Sequence, residues 1–235
     1  MMLEVRNGDW TDESIYELLH FCDFLVDYKF NNEFNQDKKR FLKYILNIRD
    51  EEVGPNHIVP YNTIALHTSN IFDHTDSFNC SAYGSLCVRV ADLSIAPCHR
   101  LFYPELKIGE FQLDENEKII DFNPNNTELL LLECTLKRSC LPHCEKCKFQ
   151  DLCIGFCQGA SYEAYRNMLA PQIQVCKMYR AKLSFLIKKF DSMGLFEYLD
   201  VLDEHSLNPA RKRYLKDVIK SVLENREGLC CECYE

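Results

Sequence analysis

The chain has 235 residues, with 27 basic against 36 acidic side chains for a formal charge of −9, and it is 46% hydrophobic and 12% aromatic. That suffices for one sizeable core or two small ones, while the acidic balance argues against nucleic acid as the main partner, because phosphate binding needs a basic face. A membrane span of about 18 apolar residues is not approached, the densest run being Leu129 to Leu132, and the start MMLEVRNGDW has neither the basic nor the apolar region of a signal peptide. Fourteen cysteines without an export signal point to reduced thiols in a cytoplasmic setting, and to a metal.

A short strand is predicted over Leu3 to Arg6, followed by a turn at Asn7-Gly8-Asp9. Thr11 then suits a helix N-cap, with Asp12 and Glu13 at the positive end. Ile15, Leu18, Leu19, Cys22, Leu25 and Tyr28 recur at helical spacing. A second helix is predicted from Asp37 to Ile48, with Phe41, Tyr44, Ile45 and Ile48 on one face and Gly54-Pro55 closing it. Pro60 to Asn79 reads as irregular or strand-like. A hairpin follows, in which Leu86, Val88 and Val90 alternate with Cys87 and Arg89, and Asp92-Leu93 reverses the chain before Ile95. This alternation points Cys87 away from the apolar face. Residues 99–127 are rich in turn formers, and residues 134–160 hold six cysteines with no clear periodicity. So little apolar surface could not pin such a loop region, so metal is expected to do so.

Beyond Pro171 the chain turns helical, with Cys176, Tyr179, Leu183, Leu186, Ile187 and Phe190 on one face and Lys177 to Lys189 on a solvated one. Gly194 ends that helix, a short one spans Leu195 to Leu202, and Asn208-Pro209 opens a last helix carried by Leu215, Val218, Ile219 and Val222 to Gly228. The fold class expected is α+β: a helical N-terminal segment, a small β-hairpin with cysteine-rich loops organised by metal clusters, and a helical C-terminus.

The stretch CEKCKFQDLCIGFC has the spacing Cys144-x2-Cys147-x5-Cys153-x3-Cys157. Closely spaced thiolates suit an all-sulfur site, for which zinc and iron clusters are the two choices. Structural zinc usually joins two cysteine pairs across a dozen or more residues, and here only five separate the second cysteine from the third. Compact runs of this type are similar to bacterial ferredoxins, where three cysteines serve one cluster and the fourth another. That logic sends Cys157 to a second cluster and makes Cys176 the nearest candidate to complete the first. Gly155 and Gly159 flank Cys157, fitting a backbone that bends close to a cluster.

Taken further, Cys80-x17-Cys98, the run from Cys144 to Cys157, and Cys176 resemble the SPASM domain, the cysteine-rich extension of radical S-adenosylmethionine enzymes that modify peptides and proteins. The segments APCHRLFYPELKIGEF and CIGFCQGASYEAYRNMLAPQIQVCKMYR agree with it, and the resemblance covers roughly residues 80–180. LEVRNGDWTDESIYELLHF resembles, more weakly, the last strand and helix of the partial barrel that precedes such domains. The implied organisation is residues 1–79 as the end of that barrel with linker helices, 80–180 as a two-cluster domain, and 181–235 as C-terminal helices and a cysteine-rich tail.

The resemblance implies two auxiliary [4Fe–4S] clusters, one held by Cys144, Cys147, Cys153 and Cys176, the other by Cys80, Cys98 and Cys157. The fourth position of the second is open, or filled by substrate or another cysteine, for which Cys87, Cys140 and the tail residues Cys230, Cys231 and Cys233 are the possibilities. Leu93 stands where the family has glycine, five residues before Cys98, and His99 stands where sulfatase-maturating members have aspartate. A base role for His99 is conceivable, though it and His143 read first as solvent-facing or hydrogen-bonded residues. Cys22 and Cys134 read as core thiols. Arg89, Arg100 and Lys148 are candidates to offset cluster charge.

Cys140, Cys144 and Cys147 reproduce the Cys-x3-Cys-x2-Cys spacing that binds the radical-generating cluster in these enzymes. The match is a decoy: Lys146 stands where an aromatic residue is normal, fewer than 90 residues follow, and two of the cysteines belong to the downstream pattern. A (β/α) barrel core needs on the order of 200 residues, so the S-adenosylmethionine half is expected in a longer parent chain or a separate subunit. The function expected is thus the iron–sulfur portion of a peptide- or protein-modifying enzyme, with electron transfer or substrate ligation at its clusters. Its partners would be that core, a peptide or protein substrate, and a ferredoxin- or flavodoxin-type reductant, with neither nucleic acid nor membrane. The alternatives are a standalone iron–sulfur electron carrier or scaffold and, less well matched, a zinc-stapled interaction module.

Overall fold

The computed structural model describes residues 10–46, 48, 64–66, 86–124, 141–153, 156–202 and 207–224. Within them helices combine with a small antiparallel sheet, an α+β arrangement. Helix α1 (Asp12–Asn32) begins where Thr11 turns extended and its side chain accepts the Ser14 amide at 3.2 Å, satisfying one of the orphan donors of the first turn. Its buried stripe is Ile15, Leu18, Cys22 and Val26. The predicted stripe diverges at its end: helical twist carries Tyr28 off the core face, and it is exposed. Helix α2 (Lys38–Ile45) is capped by Asp37 and buries Phe41, Leu42, Tyr44 and Ile45. It ends at Ile45 rather than Ile48, and Ile48 packs on the core from outside the helix. Ile64, Ala65 and Leu66 are buried beside it, the Leu66 amide donating to the Ile45 carbonyl at 2.8 Å.

Strands β1 (Cys87–Arg89), β2 (Ser94–Ala96), β3 (Gly109–Leu113) and β4 (Ile119–Pro124) form an antiparallel meander in chain order. The register pairs Val88 with Ile95, Ile95 with Gly109, and Glu110 with Asn123. The first hairpin lies where expected, yet its polarity differs from the expectation. The face carrying Leu86, Val88 and Val90 is exposed, Val90 at 85%, while Cys87 is half-buried. The second hairpin falls in the stretch read only as turns. Asp114 builds its reversal, accepting the Asn116 and Lys118 amides at 2.8 and 2.9 Å.

After the single-turn helix α3 (Pro142–Glu145) and α4 (Gln158–Tyr165), the long helix α5 (Ile173–Ser192) packs against α1. Gly194, at φ +66°, ends it; the left-handed region is where glycine carries no Cβ penalty. A 3₁₀ turn at Phe196–Leu199 leads to α6 (Pro209–Leu223), whose cap Asn208 accepts the Arg211 amide at 2.8 Å. One apolar core joins α1, α2, α5 and α6 with Ile64 to Leu66, Phe149 and Leu152. Arg211 is buried in it, its guanidinium donating to the Leu46 carbonyl at 2.9 Å. Lys182 of α5 is also buried, at 4% exposure, which corrects the reading of the Lys177–Lys189 face as uniformly solvated. Lys182 lies three residues after Tyr179 and four before Leu186, so helical geometry turns it inward with them. No described helix is long and apolar enough to cross a membrane.

Candidate metal centres

The segment between α3 and the 3₁₀ turn at Gln150–Leu152 is a chain of reverse turns that steps its cysteines round one space. The Cys144 amide donates to Leu141, Cys147 to Cys144, Gln150 to Cys147 and Cys153 to Phe149, all between 2.8 and 3.0 Å. Phe149 and Leu152 anchor this run in the main core. Cys176 comes from the first turn of α5, its amide donating to the Gln172 carbonyl at 2.9 Å.

These elements enclose a cavity of about 50 Å³ lined by four sulfurs, those of Cys144, Cys147, Cys153 and Cys176. Phe149, Phe156, Val175, Tyr179 and Leu183 complete its apolar wall, with His143 and Arg180 beside it. It is the same quartet that the family resemblance groups. Burial, with the charge of Cys153 as a smaller cause, pushes the Tyr179 phenol up, so it stays protonated. Burial and then Arg180 hold the His143 imidazole below its ordinary value, favouring the neutral ring. His143 is half-buried and His99 is exposed.

A second grouping centres on Arg100. Its amide donates to Cys98 Sγ at 3.3 Å and its guanidinium lies 3.9 Å from Cys157 Sγ. Glu163 of α4 holds that guanidinium through two donated bonds and is the main cause of its raised pKa, with the Cys157 sulfur adding to it. Cys157 is itself the N-cap of α4, its sulfur accepting the Ala160 amide at 3.4 Å. Next to it Gln158 and Ser161 are fully buried, and among the described residues neither the Gln158 amide group nor the Ser161 hydroxyl has a hydrogen-bond partner. Buried polar atoms left unsatisfied cost about 1–3 kcal/mol each, so this face of α4 is suited to a polar or charged group. Of the three cations expected near the sulfurs, Arg100 is the one that reaches them. Arg89 is engaged by Asp92 and the Phe102 ring, and Lys148 lies over Phe149.

Cys80 lies outside the described residues, as do Cys134, Cys140, Cys230, Cys231 and Cys233. Cys22 is fully buried, and burial raises its thiol to about 11, partly opposed by Lys182, which agrees with a core thiol. Cys87 pairs across the sheet with Ala96 and is not among the cavity-lining residues. All eight described cysteines are outside any disulfide. Among the described residues no three His, Cys, Asp or Glu side chains converge closely enough for a single ion. The donor set, four cysteines beside an apolar wall with no carboxylate among the lining residues, is one that zinc or an iron–sulfur cluster takes.

Arg180, Tyr179 and Phe156 were not singled out from sequence as site residues, although Cys176-x2-Tyr179 and the flanks of Cys157 carried the signal through proximity and helical spacing. No protein-family model, curated protein or solved structure matches the chain.

Proposed function

We propose that the chain is the auxiliary iron–sulfur portion of a radical S-adenosylmethionine enzyme that modifies a peptide or protein. Cys144, Cys147, Cys153 and Cys176 would hold one [4Fe–4S] cluster, and Cys98 and Cys157, with Cys80, the other. The observation that carries this reading is an apolar cavity lined by four cysteines drawn from two separate stretches of chain, the 141–153 run and the first turn of α5. Bound there, such clusters supply one-electron transfer or a coordination site for substrate. The protein's own part is to position and to insulate. Phe149, Phe156, Val175 and Leu183 exclude water from the first site, and Arg100 and the α4 N-terminus donate to the sulfurs of the second. Hydrogen bonds to sulfur and exclusion of solvent are the levers by which a protein sets cluster potential. The radical-generating core, the substrate and a ferredoxin- or flavodoxin-type reductant would be partners.

Anaerobic purification with iron, sulfide and zinc analysis tests it. Two clusters predict about eight iron atoms per chain, and Cys153→Ala or Cys176→Ala should each remove about half of them. A colourless protein with stoichiometric zinc would end the cluster reading, and full iron content in both variants would end this ligand assignment. With iron confirmed, a search for an S-adenosylmethionine-binding barrel that associates with the chain separates a maturase portion from a standalone electron carrier.

A further inference from the structure

We propose that Lys182 is the charge-compensating residue of the α5 centre, its buried ammonium offsetting the negative charge of the cysteine-held group and so raising its reduction potential. The inference rests on the cluster reading above. Lys182 is 4% exposed, in the middle of a helix face that otherwise carries Val175, Met178, Leu183 and Leu186, a setting a lysine takes when its charge is met by neighbouring groups. Its ammonium sits 5.0 Å from the centroid of the Tyr179 ring, and Tyr179 lines the cysteine cavity. Burial lowers its pKa to about 8, which leaves it mostly charged at neutral pH, and the sulfurs of Cys22 on α1 and Cys153 at the cavity are among the groups that favour the charge.

The two sulfurs differ in what they present to it. Burial favours the neutral thiol at Cys22, whereas a metal-bound Cys153 is a thiolate. The negative charge that the ammonium meets therefore grows when the centre is loaded, and grows again on reduction, when one electron from an external donor enters the cluster. A positive charge in a low-dielectric wall favours that reduced state. Lys182 thus does from inside the core what Arg100 does by direct contact at the second group of sulfurs.

The test uses the full chain, purified without oxygen and loaded with iron and sulfide, as wild type, Lys182→Met and Lys182→Arg. Wild-type content is read first: a chain that takes up no iron and sulfide overturns the cluster reading, and this inference with it. With the wild type loaded, a redox titration followed by electron paramagnetic resonance is expected to show one midpoint moved to more negative potential in Lys182→Met. The other midpoint stays in place, and Lys182→Arg stays close to wild type. Should Lys182→Met shed the centre, Lys182→Gln, which keeps a donor without the charge, replaces it in the titration with the same expectation. Coincident midpoints would overturn the proposal. So would loss of helical circular dichroism from the metal-free uncharged variants, which would assign the ammonium to core structure instead.

Discussion

At Gly159 the structure leaves no room for one added carbon. A Cβ there would lie 2.8 Å from Arg100 Cβ and 3.5 Å from Cys98 Sγ. Arg100 Cβ is fixed to its backbone, so the clash cannot be relieved by swinging a flexible tip. Alanine is favoured over glycine in a helix by about 1 kcal/mol, but overpacking of this kind costs about 1–3 kcal/mol, and the steric term wins. Because the strain falls between Cys98 and Cys157, Gly159→Ala should lose about half of the iron while the α5 centre stays loaded. Iron analysis with a thermal melt reads both effects, and full iron content would mean that the two cysteines do not share a centre. The sequence pointed to Gly159 only as a neighbour of Cys157. What it could not supply is that the close approach comes from Arg100, nearly sixty residues earlier, because such a contact is fixed by tertiary packing. Lys182 was misread for a related reason: its charge suggested water, whereas its place between Tyr179 and Leu186 is what decides its environment.

The β1–β2 hairpin shows how an element can hold a backbone conformation that its own residue disfavours. Leu93 occupies the turn at φ +57°, in the left-handed region, and its carbonyl accepts the Phe111 amide at 3.1 Å. An L-residue there is disfavoured by roughly 1–2 kcal/mol, so the reversal is held by its surroundings: the Ser94 amide and hydroxyl both donate to Asp92 at 3.1 and 2.6 Å, and Arg89 donates to the same carboxylate. Leu93→Gly relieves the strain but adds unfolded-state entropy, for a net gain of up to about 1 kcal/mol. Leu93→Val, with a branched Cβ in the same conformation, should lose about 1–2 kcal/mol. Melting curves of the metal-loaded chain compare the two, and valine tolerated as well as glycine would argue against a left-handed turn. Elements with strong local signals were legible in advance: Thr11 and Asn208 cap the helices that they were expected to cap, and Asp37, expected as the first residue of its helix, is the cap. The β3–β4 hairpin was missed because Ile119, Ile120 and Phe122 are exposed, so no buried alternation marks it. The outward face of β1 was misjudged on the same ground, since alternation fixes which residues share a face but not which face meets the core.

On the scale of the whole molecule, apolar stabilisation is unevenly spread. The main core gathers four helices, whereas the cysteine loops and the sheet are backed by two small satellites, Leu141 with Phe156, and Leu101 with Leu106 and Tyr162. Each fully buried side chain of this kind contributes about 1.5–3 kcal/mol, against about 1–2 kcal/mol of backbone entropy for every residue ordered. Among the described residues these satellites, with Ile95, Ala96 and Ile108, offset only part of that for loops of this length, and the proposed sulfur-bound groups would supply the rest, since metal binding is coupled to folding. Both satellites touch the candidate ligands, Cys144 packing on the first and Cys98 on the second. Metal removal is therefore expected to divide the molecule. In hydrogen exchange of the metal-free chain, amides of α1, α5 and α6 should keep most of their protection, while those of 86–124 and of 141–146 exchange quickly. Residues 149–153 should fall between, because Phe149 and Leu152 remain anchored in the main core. Tyr214 of α6 adds to that anchor by donating to the Lys148 carbonyl at 3.1 Å. Loss of protection in α1, α5 and α6 along with the loops would mean that the bound groups nucleate the helical core as well. Unchanged protection in 86–124 and 141–146 would mean that the loops fold without metal, and the structural role given to the four-cysteine cavity would fall.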